Sequence, residues 1–457
     1  MIKHLLRIYN LQSSICTIFF SCYRLQIPDS RLKIISLTIL LFVVTSSKAQ
    51  TLTKEEEKIL STIEQGMPAM TELLKNSVNI NSGTFNVKGV RAVGELYATE
   101  LKKLGFAIEW IVLPDSLKRA PHLVATRKGK KGKKLFLIGH LDTVFEPDMP
   151  PNPYKQLTDS TATGQGVNDM KGGDVIIIGA LKALQELHLI DDATITVYMT
   201  SDEENAGEPR NISRGDFIER AKQHDIALAF EGGNLATIAT ARRGASGWQL
   251  EVTGRQAHSS GVFGGNNYGS IYEASRIVNS FRETFVKEEF LSINPGLIIG
   301  GSELNVDWEN QLGNASGKTN IISPRTVVIG DLRFLTEEQK IKAREKMSGI
   351  VNQSLNGAKA SIKFKDGIPS MAPTAGNEAL AKQLSSISEG MGVGKVVPGN
   401  AGSRGAGDIS YIAAYVDCLD GLGASGRGAH APGEIINLKE FPILMKRGAL
   451  LIYKLIR

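Results

Sequence analysis

Residues Leu135–Phe145, LFLIGHLDTVF, open with apolar residues and then place a histidine and an aspartate two positions apart. The apolar run reads as a buried strand. Alternate side chains share a face on an extended backbone, so His140 and Asp142 point the same way off the tip of a sheet. An imidazole offers one nitrogen to a metal, and a neighbouring carboxylate can hold the ring. Open α/β sheets bind ligands at the carboxyl ends of their strands. The stretch therefore predicts a metal site at such an end, provided that other ligands converge on it.

Strand and helix patterns alternate around this stretch. Helices are expected over Leu52–Asn79 and Val90–Leu104, then strands at Phe106–Leu113, His122–Arg127 and Leu135–His140. A helix over Gly173–Leu187, a strand at Thr194–Thr200, a helix near Gly215–Gln223 and a strand at Ile226–Phe230 come next. Alternation of this kind predicts an α/β fold, a mostly parallel sheet flanked by helices. The texture changes after Arg243-Gly244. Strands at Gly247–Gly254, Gly296–Ser302, Thr326–Phe334 and Ala360–Lys365 enclose helices at Gly269–Phe285 and Glu337–Leu355. That order is an α+β unit, β-α-β-β-α-β, inserted into the first fold. Helical texture returns at Asn377–Glu389. The expected division is a leader (1–49), a first α/β part (50–244), the inserted domain (245–366) and a second α/β part (367–457).

A chain of 457 residues is too long for one core, in keeping with two domains. Arg31 and Lys33, the apolar run Ile34–Val44 and the small residues before Gln50 resemble a secretory signal cleaved after Ala49. The protein is then expected to be secreted or periplasmic, with no stable membrane insertion after cleavage; a retained anchor is the alternative. Residues 1–49 hold six lysines and arginines against Asp29, so they carry +5 of the net charge of +6. The remainder is nearly neutral, so nothing in the charge points to nucleic acid or an anionic membrane as a partner. Arg127–Lys134, RKGKKGKK, is most simply a solvated hairpin turn. Cleavage also removes Cys16 and Cys22 and leaves Cys418 alone, so any metal must be held by nitrogen and oxygen.

Four further segments put acids or a histidine after apolar runs. Gly164–Gly173, GQGVNDMKGG, presents Asp169 on a glycine-rich loop. Thr194–Gly207, TITVYMTSDEENAG, runs a strand into Asp202, Glu203 and Glu204; Ile226–Gly233, IALAFEGG, ends a strand on Glu231. Gly426–Glu434, GRGAHAPGE, carries His430. Each alone has an ordinary explanation: a solvated acidic turn, a helix cap or a surface histidine. Together, several carboxylates at successive strand ends repel one another unless cations neutralise them. A dinuclear site is the simplest solution.

The motifs HLDTV, GVNDMKGG, SDEE and AHAPGE, in this order, resemble those of the dizinc amidohydrolases. That family includes carboxypeptidase G, acetylornithine deacetylase, succinyl-diaminopimelate desuccinylase and aminoacylase, and the likeness covers nearly everything after residue 55. The resemblance implies the zinc exopeptidase-like fold and two Zn²⁺ per chain, with cobalt or manganese as substitutes. It implies that Asp169 bridges the metals, with His140 and Glu231 completing one and Glu204 and His430 the other. It further implies Glu203 as general base acting on a metal-bridging hydroxide, Asp142 as the partner of His140, and a cis peptide after Asp169. The inserted domain would act as lid and dimerisation domain. His258 in GRQAHS would reach the active site of the second subunit of a homodimer and help stabilise the oxyanion; its alternative is a locally satisfied turn histidine. Asn320 in TNIISP and Arg333 in GDLRF match positions that hold a substrate carboxylate. Arg333 has the alternative of pairing with Asp331 or Glu337.

The function expected from this reading is hydrolysis of the amide bond before a C-terminal amino acid, in the manner of a glutamate carboxypeptidase. Small peptides or N-acyl amino acids would be the substrates. Glu231 departs from the glutamate carboxypeptidases, which place aspartate there, and favours the alternative of an N-acyl-amino-acid deacylase. An inactive binding protein is disfavoured by the full set of competent residues.

Overall fold

The computed structural model describes residues 52–264 and 266–457, so the expected leader lies outside the described residues. Two helices come first, α1 (Lys54–Val78) and α2 (Val87–Lys103). Thr53 starts α1 with a reciprocal cap: its hydroxyl accepts from Glu56 N, and Glu56 Oε2 accepts from Thr53 N at 2.7 Å. Strands β1 (Ala107–Ile111), β2 (His122–Arg127) and β3 (Lys131–His140) precede helix α3 (Lys171–Glu186). After these come β4 (Ala193–Thr200), helix α4 (Gly215–Ala221) and β5 (Ile226–Ala229).

A segment of different texture continues with β6 (Gly244–Gly254), α5 (Gly269–Phe285), β7 (Ser292–Gly301), β8 (Glu303–Asp307) and β9 (Leu312–Ser316). It ends with β10 (Arg325–Phe334), α6 (Glu337–Val351) and β11 (Ala358–Asp366). Helix α7 (Ala375–Gly390), strand β12 (Asp417–Asp420) and helix α8 (Phe441–Leu455) complete the chain. Residues Leu52–Arg457 form one compact unit, and no helix among the described residues is long and apolar enough to cross a membrane.

The central sheet has the order β1-β2-β4-β3-β5-β12. Strands β4, β3, β5 and β12 are parallel, and β1 and β2 extend the sheet antiparallel. On one face α3 packs between α1 and α8 and is buried nearly all round. The other face is closed by α4 and by Ile409 and Ile412, over Phe136, Ile138 and Tyr198. Strand register decides where the loops meet. His140 pairs with Thr200, and Ile138 with Ala229, so β3, β4 and β5 finish side by side. Neighbouring strands lie about 4.8 Å apart, which brings three chain segments to one place.

The second sheet, β7-β10-β6-β11, is antiparallel throughout. Helices α5 and α6 cover Trp248, Leu250, Val252 and Leu332 to make a core of its own. Trp248 explains one glycine: a Cβ on Gly330 would lie 2.1 Å from its ring. The hairpin β8–β9 is an addition to the expected β-α-β-β-α-β pattern; its alternating residues are largely polar, which hid it. The expected helix to Leu355 stops at Val351, and α8, apolar on most sides, was not anticipated at all. The chain enters and leaves this layer as an antiparallel pair, with Arg242 N bonded to Met371 O and Met371 N to Arg242 O.

Candidate active site

His140 ends β3 fully buried, its Nδ1 3.0 Å from Asp142 O. Asp142 is equally buried and fastens the next strand end. Its Oδ1 accepts from Glu203 N at 3.0 Å, and its Oδ2 from Glu204 N at 3.1 Å and from the Thr84 hydroxyl at 2.6 Å. Asp142 thus orients the imidazole, through its backbone oxygen and a carboxylate oxygen 3.4 Å from Nδ1, and its carboxylate holds the turn that carries Glu203 and Glu204.

Asp169 arrives from the glycine-rich loop ahead of α3. Gly166 there has φ +68, and a Cβ on Gly173 would lie 1.9 Å from Phe230 O, so α3 starts close against the end of β5. The Asp169–Met170 peptide is cis, as the resemblance implies. Asp169 divides its oxygens between two imidazoles. Oδ1 is 3.3 Å from His140 Nε2, and Oδ2 is 3.1 Å from His430 Nε2. Glu231 Oε1 is 3.6 Å from His140 Nε2 on one side, and Glu204 Oε2 is 3.1 Å from His430 Nε2 on the other. Two groups of residues are spaced to hold a metal ion, His140 with Asp169 and Glu204, and His140 with Glu203 and Glu231.

The electrostatics fit cations. Burial, with the neighbouring carboxylates, raises the pKa values of Glu203, Glu204 and Glu231. Hydrogen bonds to Asp169 and Glu204 push His430 up to about 11. Burial opposes a charged His140, yet Asp142 and Asp169 hold its pKa well above the usual value. The donor set, two imidazoles with the carboxylates of Asp169, Glu204 and Glu231 and no sulfur, suits zinc. The residues present therefore fit a metal.

The three positions expected on the inserted layer lie elsewhere. Ser259 N donates to Asn320 O at 2.9 Å, which puts exposed His258 beside Asn320 where β6 ends and β10 begins. Arg333 sits at the opposite end of β10, eight residues from Arg325 or roughly 27 Å along the strand. Its Nε donates to Asp331 Oδ2 at 2.6 Å, the alternative pairing. No hydrogen bond or ion pair among the described residues joins these three to the cluster.

Residues 136–454 match the model of peptidase family M20/M25/M40. The chain belongs to this family. Carboxypeptidase G2 of Pseudomonas sp. (strain RS-16) is 26% identical over 428 residues, 91% of this chain and 95% of that one. Acetylornithine deacetylase of Pasteurella multocida is 29% identical over 228 residues, 47% and 57% of the two chains. In fold, the chain is similar to aminopeptidase PepT from Bacillus cereus, with a TM-score of 0.68 at 17% identity over 85% of this chain and 98% of that one. Membership in the M20 family makes this protein a metallohydrolase of the metallopeptidase and amidohydrolase type.

Three residues that support the cluster were not singled out from the sequence. Glu434 is fully buried and accepts from the backbone nitrogens of Gly166, Asn168 and Asp169 at 3.0, 2.7 and 2.8 Å. Arg242 pairs with Asp420 and approaches Gly407, where an added Cβ would lie 3.3 Å from its Nη1 and 3.6 Å from Glu203 Oε1. Arg214 lies under the Glu203 turn. Only Glu434 stood inside a quoted motif; the arginines act through partners far away in the chain.

Proposed function

We propose that the protein hydrolyses the amide bond before a C-terminal amino acid, with two zinc ions held as the cluster suggests. Asp169 would bridge, with His140 and Glu231 on one ion and Glu204 and His430 on the other. The observation that carries this reading is the division of the Asp169 oxygens between two imidazoles. Bound there, zinc polarises the amide carbonyl and makes water more acidic.

The residues of the chain do the rest. Glu203 takes the proton of the attacking water on a carboxylate oxygen and passes it to the leaving nitrogen as the C–N bond breaks. Asp142 fixes the tautomer of His140 and the backbone of the Glu203 turn. Substrate carboxylate recognition falls to Arg333, whose planar guanidinium suits bidentate pairing once released from Asp331.

A homodimer would resolve the separation of Asn320 and Arg333. Strand β7 is an edge, and Phe263, Ile271, Tyr272, Val286 and Ile298 expose apolar surface along it and α5. Pairing two copies there would carry His258 and Asn320 of the partner subunit toward this chain's site. We also propose export, with cleavage after Ala49.

Similarity to carboxypeptidase G2 along nearly the whole chain favours glutamate release. Glu231 favours the deacylase reading, in which an N-acyl group is removed from an amino acid. A panel of N-acyl amino acids, dipeptides and folate-type glutamates, with and without chelator, separates the two. Chelator-sensitive cleavage of glutamate conjugates supports the first; cleavage restricted to N-acyl amino acids supports the second. Full activity after exhaustive metal removal would contradict both.

A further inference from the structure

Arg214 is fully buried, and its guanidinium is spent on two carboxylates behind the active site. Nη1 donates to Asp202 Oδ1 at 2.6 Å and Nη2 to Asp202 O at 3.1 Å, while Nε donates to Asp408 Oδ1 at 2.7 Å. Asp202 directly precedes Glu203. Its second oxygen accepts from Gly207 N at 2.8 Å, which closes the turn after β4. Asp408 accepts from the Thr200 hydroxyl at 2.6 Å. It also comes directly after Gly407, whose missing Cβ would lie 3.6 Å from Glu203 Oε1. One guanidinium therefore joins the turn that carries Glu203 to the wall that faces its carboxylate.

Two features argue that this is more than core packing. A buried charged triad adds little net stability over an apolar plug of the same size. What it does add is direction, because a planar fork holds both carboxylates at fixed angles. In addition, two arms of the clamp converge on Glu203: Asp202 precedes it in the turn it shares with Glu204, and Gly407 faces its carboxylate, while Thr200 sits on the strand position paired with His140. Asp142 already holds the backbone nitrogen of Glu203 from the other side. Between Asp142 and Arg214 the turn is pinned at both ends, with the carboxylate left free.

We propose that Arg214 is a positioning residue for hydrolysis: through Asp202 and Asp408 it holds Glu203 within reach of the water and the leaving nitrogen. It touches neither substrate nor metal, so its effect falls on kcat. The inference rests on the reading of Glu203 as the base.

Arg214→Met and Arg214→Lys in the full chain test this, with zinc content, thermal unfolding, kcat and KM read on the same preparations. Both variants should bind as much zinc as the parent, with KM changed less than ~3-fold; Arg214→Met should lower kcat on the order of 10²-fold, the usual result of misplacing a catalytic group by about 1 Å. In a Glu203→Gln background, adding Arg214→Met should change the residual kcat by less than ~3-fold, because residues that act as a unit are not additive. A folded, zinc-loaded Arg214→Met with parental kcat overturns the proposal. So does an equal loss of kcat in both backgrounds.

If neither Arg214 variant folds, Thr200→Val decides, since it removes only one donor to Asp408. Lower kcat at unchanged KM and zinc content supports the clamp, and unchanged kcat overturns it. Parental turnover in Glu203→Gln alone would instead remove the base assignment, whatever Arg214 does.

Discussion

Asp174 sits in α3 with both carboxyl oxygens buried and without a hydrogen-bond partner. Burial holds its pKa well above the carboxylate range, so the folded chain keeps a proton that the unfolded chain releases near pH 4. Stability from this group is therefore intact at low pH and declines as pH rises through the folded value. Asparagine has nothing to ionise. In metal-free protein, Asp174→Asn should match the parent near pH 4 and then gain on it by up to about 1.4 kcal/mol per pH unit. Urea unfolding from pH 4 to 8 measures this; parallel curves would contradict it. Nothing in the sequence around Asp174 announces such a group. His140, Glu204 and Glu231 stood out as candidates because each ends or trails an apolar strand, whereas Asp169 and His430 lie on glycine-rich loops and drew notice through the motifs resembling those of the amidohydrolases. Asp174 and Arg214 did neither, because their roles depend on what surrounds them in space. Arg214 and Asp408 are 194 positions apart.

At the scale of elements, the site exists because β3, β4 and β5 finish level and two loops close over their ends. Glu434 joins those loops: its own segment carries His430, and its carboxylate gathers three backbone nitrogens of the Asp169 loop. Glu434→Ala should leave the fold intact yet weaken zinc binding by ~10–100-fold, as loss of a supporting contact commonly does. Chelator competition reads it, and parental affinity would contradict it. Strand alternation made the central sheet and the four-stranded layer legible. The hairpin β8–β9 and helix α8 were not, for opposite reasons. The hairpin has too little apolar alternation, and α8 is apolar on too many sides to show a period.

For the whole molecule, β10 separates two expected parts of one substrate site by its own length. His258 and Asn320 stand at one end and Arg333 at the other, a fact that no motif spacing discloses. If a second copy supplies the first two, Ile298→Glu on the exposed edge strand should yield a monomer by sedimentation. Its kcat should fall on the order of 10²-fold, the usual loss when one oxyanion donor goes. A fully active monomer would contradict subunit sharing. In the whole molecule, metal binding and proton transfer fall to adjacent residues, Glu204 and Glu203. Zinc content and turnover of Glu203→Gln, measured on one preparation, test this most directly. Two zinc ions per chain with turnover reduced at least ~10³-fold is the predicted result. Loss of one zinc ion, which would make Glu203 a ligand, or undiminished turnover would contradict it.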